Sequence, residues 1–277
     1  MSSQFSFSEF LPPLPTGILL DQRYNIEKVL TQNHDGNTYL AKDLIMLTGP
    51  IVIEEVRANP KHLNLLATKR TDGLQEAQSS YSYEDSPCFP RFSELFCDLD
   101  RTFLIRPYIL GMTLQKYSQD ISENTLIVWL EALLKSLSKL HQANLYYNNI
   151  APENIVIESG ANMPILINFN CIEVLVPDPS EDNLPMPTVS KLNEQVYAVD
   201  LYALAVLAVS LLTQADFHSL MTTRNWIAQW ENNIANNRTV TAEFAAILNR
   251  MLLFKAQVQY QSADAILRAL FELPIPD

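Results

Sequence analysis

A chain of 277 residues, 48% of them apolar, is long enough for one large domain or one domain in two lobes, and too hydrophobic to be disordered throughout. Its net charge of −12, with 19 scattered Lys and Arg, lacks the basic face that nucleic acid or an anionic membrane surface requires, so the acidity reads as solubility. Cys88, Cys97 and Cys171 form no C-x-x-C pair, and His34, His62, His141 and His218 show no ligand spacing; this argues against a disulfide scaffold or zinc site and fits a reducing cytoplasm.

Met1 to Pro15 has no basic stretch followed by an apolar block, so no secretory signal is expected. Residues 1–18 read as an N-terminal extension: Phe5, Phe7 and Phe10 precede Pro12-Pro13-Leu14-Pro15. This is a packed arm or a loose tail, with a docking peptide as the alternative. Residues 23–56 read as a β-meander. Tyr24–Leu30 alternates in part, Thr31–Asn37 is a polar turn, Thr38–Ala41 is a second run, Lys42–Gly49 turns again, and Ile51-Val52-Ile53 is a β-branched strand. Pro60 can open a weak helix over 60–83, interrupted by Gly73, and Phe103-Leu104-Ile105 marks a return to strand.

After Gly111 the pattern turns helical. Leu126, Trp129, Leu130, Leu133, Leu134, Leu137 and Leu140 recur at three- and four-residue steps behind Ser122, a good N-cap. Ile155-Val156-Ile157 and Ile165-Leu166-Ile167 flank a turn, Ser159–Asn162, and read as a hairpin. Residues 172–192, with four prolines and several acids, read as a loop. Val196–Leu212 is apolar nearly all round and reads as a buried helix, since Leu201–Leu212 is about half the ~20 residues a bilayer crossing needs. Residues 216–277 are helical again. Strands come first and helices after, the order of an α+β fold.

Leu30–Ala41, Ile51–Val56, Glu76, Tyr147–Asn154, Asn168-Phe169-Asn170 and Tyr197–Ala205 follow one another along the chain, and through them the sequence from about Leu20 to Leu273 resembles the eukaryotic-type serine/threonine protein kinase family in its cyanobacterial form, with its functional motifs degenerate. The motifs that carry the resemblance are Leu30–Ala41 at the Gly-rich loop, Ile51–Val56 at the strand lysine, Glu76 at the helix glutamate, Tyr147–Asn154 at H-R-D-x-x-x-x-N, Asn168-Phe169-Asn170 at D-F-G, and Tyr197–Ala205 at the central helix. The Pro152-Glu153-Asn154 match is the most specific. Gln259-Tyr260-Gln261-Ser262-Ala263 resembles a late stretch of these kinases without its Arg.

The resemblance implies a bilobal fold, with a β-rich lobe over 19–109 and a helical lobe over 110–277. It also implies that the catalytic positions are Glu54, Asn149 and Asn168, where the family has lysine and two aspartates. A neutral amide cannot accept a proton as a carboxylate does, and Asn154 and Asn168 remain as vestiges of a metal site. The nucleotide pocket is reduced to Gly36, Val52, Glu76, Arg106, Tyr108 and Val156. Glu54 and Glu76 at ~4 Å would repel by about 4 kcal/mol at an effective dielectric of ~20. Arg106 is the cation placed to relieve them, an outward orientation to solvent being the alternative. Asp200 matches an aspartate that holds the catalytic loop.

The expected protein is thus a pseudokinase: a regulatory or scaffolding module with no cofactor, or with weak ATP binding without metal. Its partner is a protein such as an active kinase or a larger complex, with no nucleic acid and no membrane insertion. Residues 172–192 are the candidate docking loop, a solvated connector being the alternative. The competing reading is an atypical kinase with residual ATP binding, using Glu55, Asp35 or Glu153 as replacement metal ligands.

Overall fold

The structure is a computed structural model that describes residues 12–33, 36–47, 49–56, 90, 94–99, 101–169, 173–174, 189–223, 226, 230, 240–253 and 260–273. The chain divides into two compact units, and Asn168 and Phe169 belong to the first, with the strands up to Tyr108.

The first unit is a six-stranded antiparallel sheet in the order β1-β2-β3-β4-β6-β5. The strands are β1 (Leu19–Leu20), β2 (Tyr24–Asn33), β3 (Gly36–Asp43), β4 (Pro50–Val56), β5 (Glu94–Asp98) and β6 (Arg101–Pro107). The period of two sends Tyr39, Ala41, Ile51, Ile53, Phe103 and Ile105 into one core, which Leu14 and Leu20 join. Opposite parity places Val52, Glu54, Leu104 and Arg106 together on the other face, with Val52 paired to Arg106 and Glu54 to Leu104. All four are buried.

In the second unit, β7 (Gly111–Thr113), β9 (Ile155–Glu158) and β10 (Pro164–Leu166) form a small sheet in the order β10-β9-β7. Gly111 leaves no room for a side chain, since a Cβ there would collide with the Ile157 carbonyl. A second ribbon pairs β8 (Leu145–Tyr146) with β11 (Glu173–Val174). Helix α1 (Glu123–Gln142) begins where Ser122 accepts from the Thr125 N–H at 3.2 Å, and it buries the face predicted for it. Helix α2 (Val189–Thr213) is buried along Asp200–Ser210. The helices α3 (Phe217–Thr222), α4 (Ala242–Met251) and α5 (Ala263–Phe271) follow. No helix among the described residues is long and apolar enough to cross a membrane.

Four expectations need correction or fall outside this description. The polar turn over Thr31–Asn37 is mostly strand, because Thr31 pairs with Thr38 and Gln32 with Asn37 through the backbone ladder, which is indifferent to side-chain polarity. Gly111 opens a short strand before any helix. The loop over 172–192 contains β11 at its start and the first residues of α2 at its end. The helix expected over 60–83, with Glu76, lies outside the described residues.

The turn after β3 is held by a charge network. Arg23 donates to both oxygens of Asp43, at 2.9 and 2.6 Å, and to Glu94 at 3.1 Å, while Asp43 Oδ1 accepts from the N–H groups of Ile45 and Met46. The Arg23 guanidinium, helped by those N–H groups, holds the Asp43 carboxyl down at about 2, against an ordinary 3.8. A depressed carboxyl stabilises the fold above its unfolded value and loses that contribution as pH falls through the folded one. Asp43→Asn is therefore expected to lower stability at neutral pH, by on the order of 1–2 kcal/mol. It should also flatten the fall in stability between pH 4 and pH 2, as read by urea unfolding across that range.

Candidate functional site

The first unit centres on Glu54. Its side chain is 0% exposed. Oε1 accepts from Arg106 Nε at 2.7 Å and from the Asn168 N–H at 3.1 Å, while Oε2 accepts from the Phe169 N–H at 2.5 Å. Arg106 reaches Glu54 because the two are diagonal neighbours on adjacent antiparallel strands, well within the span of long side chains. Arg106 is itself buried and also donates to the Pro107 carbonyl at 3.4 Å. Asn168 sits at φ 71°, in the left-handed region that asparagine tolerates better than most residues. A carboxylate alone in this setting would be expelled or protonated; with one guanidinium and two peptide N–H groups it is satisfied.

Glu55, on the opposite face of β4, is equally committed. Its Oε2 accepts from Asn37 Nδ2 at 2.8 Å, the Tyr39 hydroxyl at 3.0 Å and Arg101 Nη1 at 3.2 Å. Burial pushes the Tyr39 hydroxyl up to about 12, and the Glu55 charge adds to the effect. Arg101 also donates to the Pro12 carbonyl, and the Leu14 N–H donates to the Tyr39 hydroxyl, so the arm at Pro12–Leu14 is tied to this cluster. Of the replacement metal ligands, Glu55 is taken up by protein donors and Asp35 lies outside the described residues. Glu153 faces His218 Nε2 at 3.1 Å. Among the described residues no three His, Cys, Asp or Glu side chains gather in a metal-ligating arrangement.

In the second unit the loop over 147–154 is organised by Asp200. Its Oδ2 accepts from the Tyr147 N–H at 2.8 Å and its Oδ1 from the Asn148 N–H at 2.7 Å. His141 Nε2 lies 3.0 Å from Oδ2. Tyr197 stacks on the His141 ring at 4.1 Å and donates to the His141 carbonyl. Asn154 Nδ2 donates to the Asn149 carbonyl at 3.1 Å, and the Asn154 carbonyl accepts from the Ile167 N–H at 2.9 Å. Asn154 therefore braces its own loop through its side-chain amide and its backbone.

The structure therefore brings Glu54, Arg106 and Asn168 into one cluster, with Val52 beside Arg106, and places Asn149 and Asn154 on one loop, with Val156 in the adjoining strand β9. Gly36 occupies β3 at φ 140°, which favours glycine, and Tyr108 is exposed. The Glu55 cluster and His141 were missed. A second carboxylate beside Glu54 in an apolar strand, with Asn37 and Tyr39 on the facing strand β3, is a signal only once strand register is known.

No family model matches the chain. It is 25% identical over 270 residues to serine/threonine-protein kinase D of Synechocystis, an alignment covering 91% of this chain and 52% of the relative. It is 24% identical over 278 residues to serine/threonine-protein kinase PknA of Nostoc, covering 91% and 47%. The chain thus spans about half the length of these relatives. Among solved structures, the kinase domain of Mycobacterium tuberculosis PknI superposes with a TM-score of 0.62 at 16% identity, over 94% of this chain and 99% of that one.

The chain is a protein-kinase-like domain. Glu54, which the sequence resemblance sets at the strand-lysine position, is a buried acid that accepts from the Asn168 and Phe169 N–H groups.

For this kinase-like domain, Glu54→Ala and Arg106→Met singly should each cost about 3–5 kcal/mol, because each leaves a buried charge without its partner. The double variant should lose clearly less than the sum. Urea unfolding of the four proteins gives the coupling energy; additive losses would mean that the two side chains do not sustain one another.

Proposed function

We propose that this protein-kinase-like domain does not transfer phosphate and acts as a regulatory or scaffolding module bound to a protein partner, such as an active kinase or a larger complex. One observation carries the reading: the carboxylate of Glu54, which the resemblance sets where the family has a lysine on the α- and β-phosphates, is buried, and the neighbouring cation, Arg106, is engaged by it. A negative charge at that position repels phosphate where catalysis requires attraction. Asn149 and Asn168 remove two further charges on which proton acceptance and magnesium binding depend. Binding of ATP without metal stays compatible with this reading.

The acidic residues between 175 and 188, expected as a docking loop, lie outside the described residues. Support for an interaction role comes from the turn after β3, where Leu44, Ile45, Met46 and Leu47 are 50%, 67%, 60% and 80% exposed. Four consecutive exposed apolar side chains favour association unless a partner covers them. The Asp43 network fixes this turn, so the apolar tip is presented on a rigid mount.

Incubation of the purified chain with labelled ATP and magnesium is expected to give no phosphorylation of itself or of generic protein substrates above background. Asn168→Asp alone should not restore it, since Glu54 and Asn149 remain. Robust autophosphorylation that Asn154→Ala abolishes would overturn the proposal. So would a large magnesium-dependent stabilisation by ATP in a thermal melt, because a ligand that binds the folded state raises its stability. For the interaction role, Ile45→Asp with Leu47→Asp should leave the melting temperature within about 2 °C of the parent, as exposed substitutions do, while proteins retained by the parent from the native cell are lost. Retention of the same proteins by both forms would remove the turn from the interface.

A further inference from the structure

The Glu54 contacts have a feature that an ordinary buried ion pair lacks. Besides Arg106, the carboxylate takes two successive peptide N–H groups, those of Asn168 and Phe169, from a segment 114 and 115 residues away. We propose that the Arg106 guanidinium and these two N–H groups form an oxyanion site, and that Glu54 is its built-in carboxylate ligand.

The donor set is that of an anion receptor. A guanidinium and consecutive backbone N–H groups converge on one carboxylate at 2.7, 3.1 and 2.5 Å. The site is dry: Glu54, Arg106, Asn168 and Phe169 are 0%, 4%, 9% and 1% exposed. In such surroundings the donors interact strongly with an anion and are expensive to leave empty. The ligand is supplied by β4 and the donors by its ladder partner β6 and by the segment after β10, so the carboxylate joins that segment to a pair of neighbouring strands. Because Glu54 is covalently tethered, its effective concentration exceeds that of any small anion in solution. Residues 168 and 169 are therefore fastened to the sheet whether or not nucleotide or magnesium is present. This goes beyond the reading of the domain as non-catalytic and stands on the first unit's geometry alone.

Glu54→Ala deletes a two-carbon fragment whose free counterpart is acetate, which makes acetate the probe. In the full chain carrying Glu54→Ala, hydrogen exchange at the Asn168 and Phe169 amides is expected to accelerate about tenfold or more, the scale of one lost charge-assisted hydrogen bond. Added acetate should slow it again with saturable dependence, and acetamide or chloride at the same concentration should not. Glu54→Ala combined with Arg106→Met should not respond to acetate. Exchange in folded Glu54→Ala that ignores acetate, or that responds equally to acetamide, overturns the proposal. Should Glu54→Ala not fold, Glu54→Gln decides the matter: it keeps the shape and loses the charge, so exchange at both amides must rise several-fold, and parental exchange overturns the site. Phosphotransfer measured on the parent sample keeps the two proposals apart. Activity would refute the non-catalytic reading and leave the oxyanion site standing, whereas failed rescue with no activity would do the reverse.

Discussion

The first unit depends on one charge being acceptable in a place without water. Removing a carboxylate from solvent costs several kcal/mol after relaxation, and Glu54 is fully buried. Arg106 makes this tolerable because guanidinium does not deprotonate in proteins and its donors have fixed directions. Glu54 and Arg106 are thus one unit of substitution, since changing either alone strands the other. The two peptide N–H groups then make the pair more than local, because they join the segment after β10 to a sheet whose strands all precede it in sequence.

The second unit uses the same device with different residues. Asp200 is buried, accepts from the successive N–H groups of Tyr147 and Asn148, and has His141 as a third neighbour. Asn148 is left-handed at φ 57°, as Asn168 is at φ 71°. In each unit a buried carboxylate gathers two consecutive N–H groups beside a left-handed asparagine, and a nitrogen-bearing ring or guanidinium lies alongside. A peptide segment held this way is positioned through its backbone, so the side chains along it are free to vary in chemistry without loss of the loop. That explains how Asn149 and Asn168 can stand where aspartates are expected while the loops that carry them keep their supports.

The parts of this arrangement legible in sequence were those with local physics. The 126–140 spacing and Ser122 located α1 and the β-branched runs located β4 and β9, whereas Arg106 was set beside Glu54 and Glu76 by the family resemblance, and its contact with Glu54 is the half the described residues contain. The end of β2 was hidden because a ladder of backbone hydrogen bonds accepts Thr31 and Gln32 as readily as valine. The pairing of β8 with β11 was hidden because each contributes only two residues. The attachment of Asn168 and Phe169 to Glu54 could not be read at all, because periodicity describes neighbours and this contact joins backbone to side chain across 114 residues.

The pattern of kept and altered charges separates two kinds of carboxylate. Asp200 and Glu55 are satisfied by protein donors and have structural work independent of any ligand. Catalytic carboxylates differ, because they must remain partly unsatisfied until substrate or metal arrives, and an unsatisfied charge destabilises the protein that carries it. An asparagine in place of such an aspartate relieves that destabilisation with little loss of shape. Glu54 belongs to the satisfied kind, because Arg106 and the Asn168 and Phe169 N–H groups take up its charge from within the chain. The position of residues 168 and 169 against the sheet thus rests on contacts between the protein's own groups, one buried carboxylate and two successive peptide N–H groups.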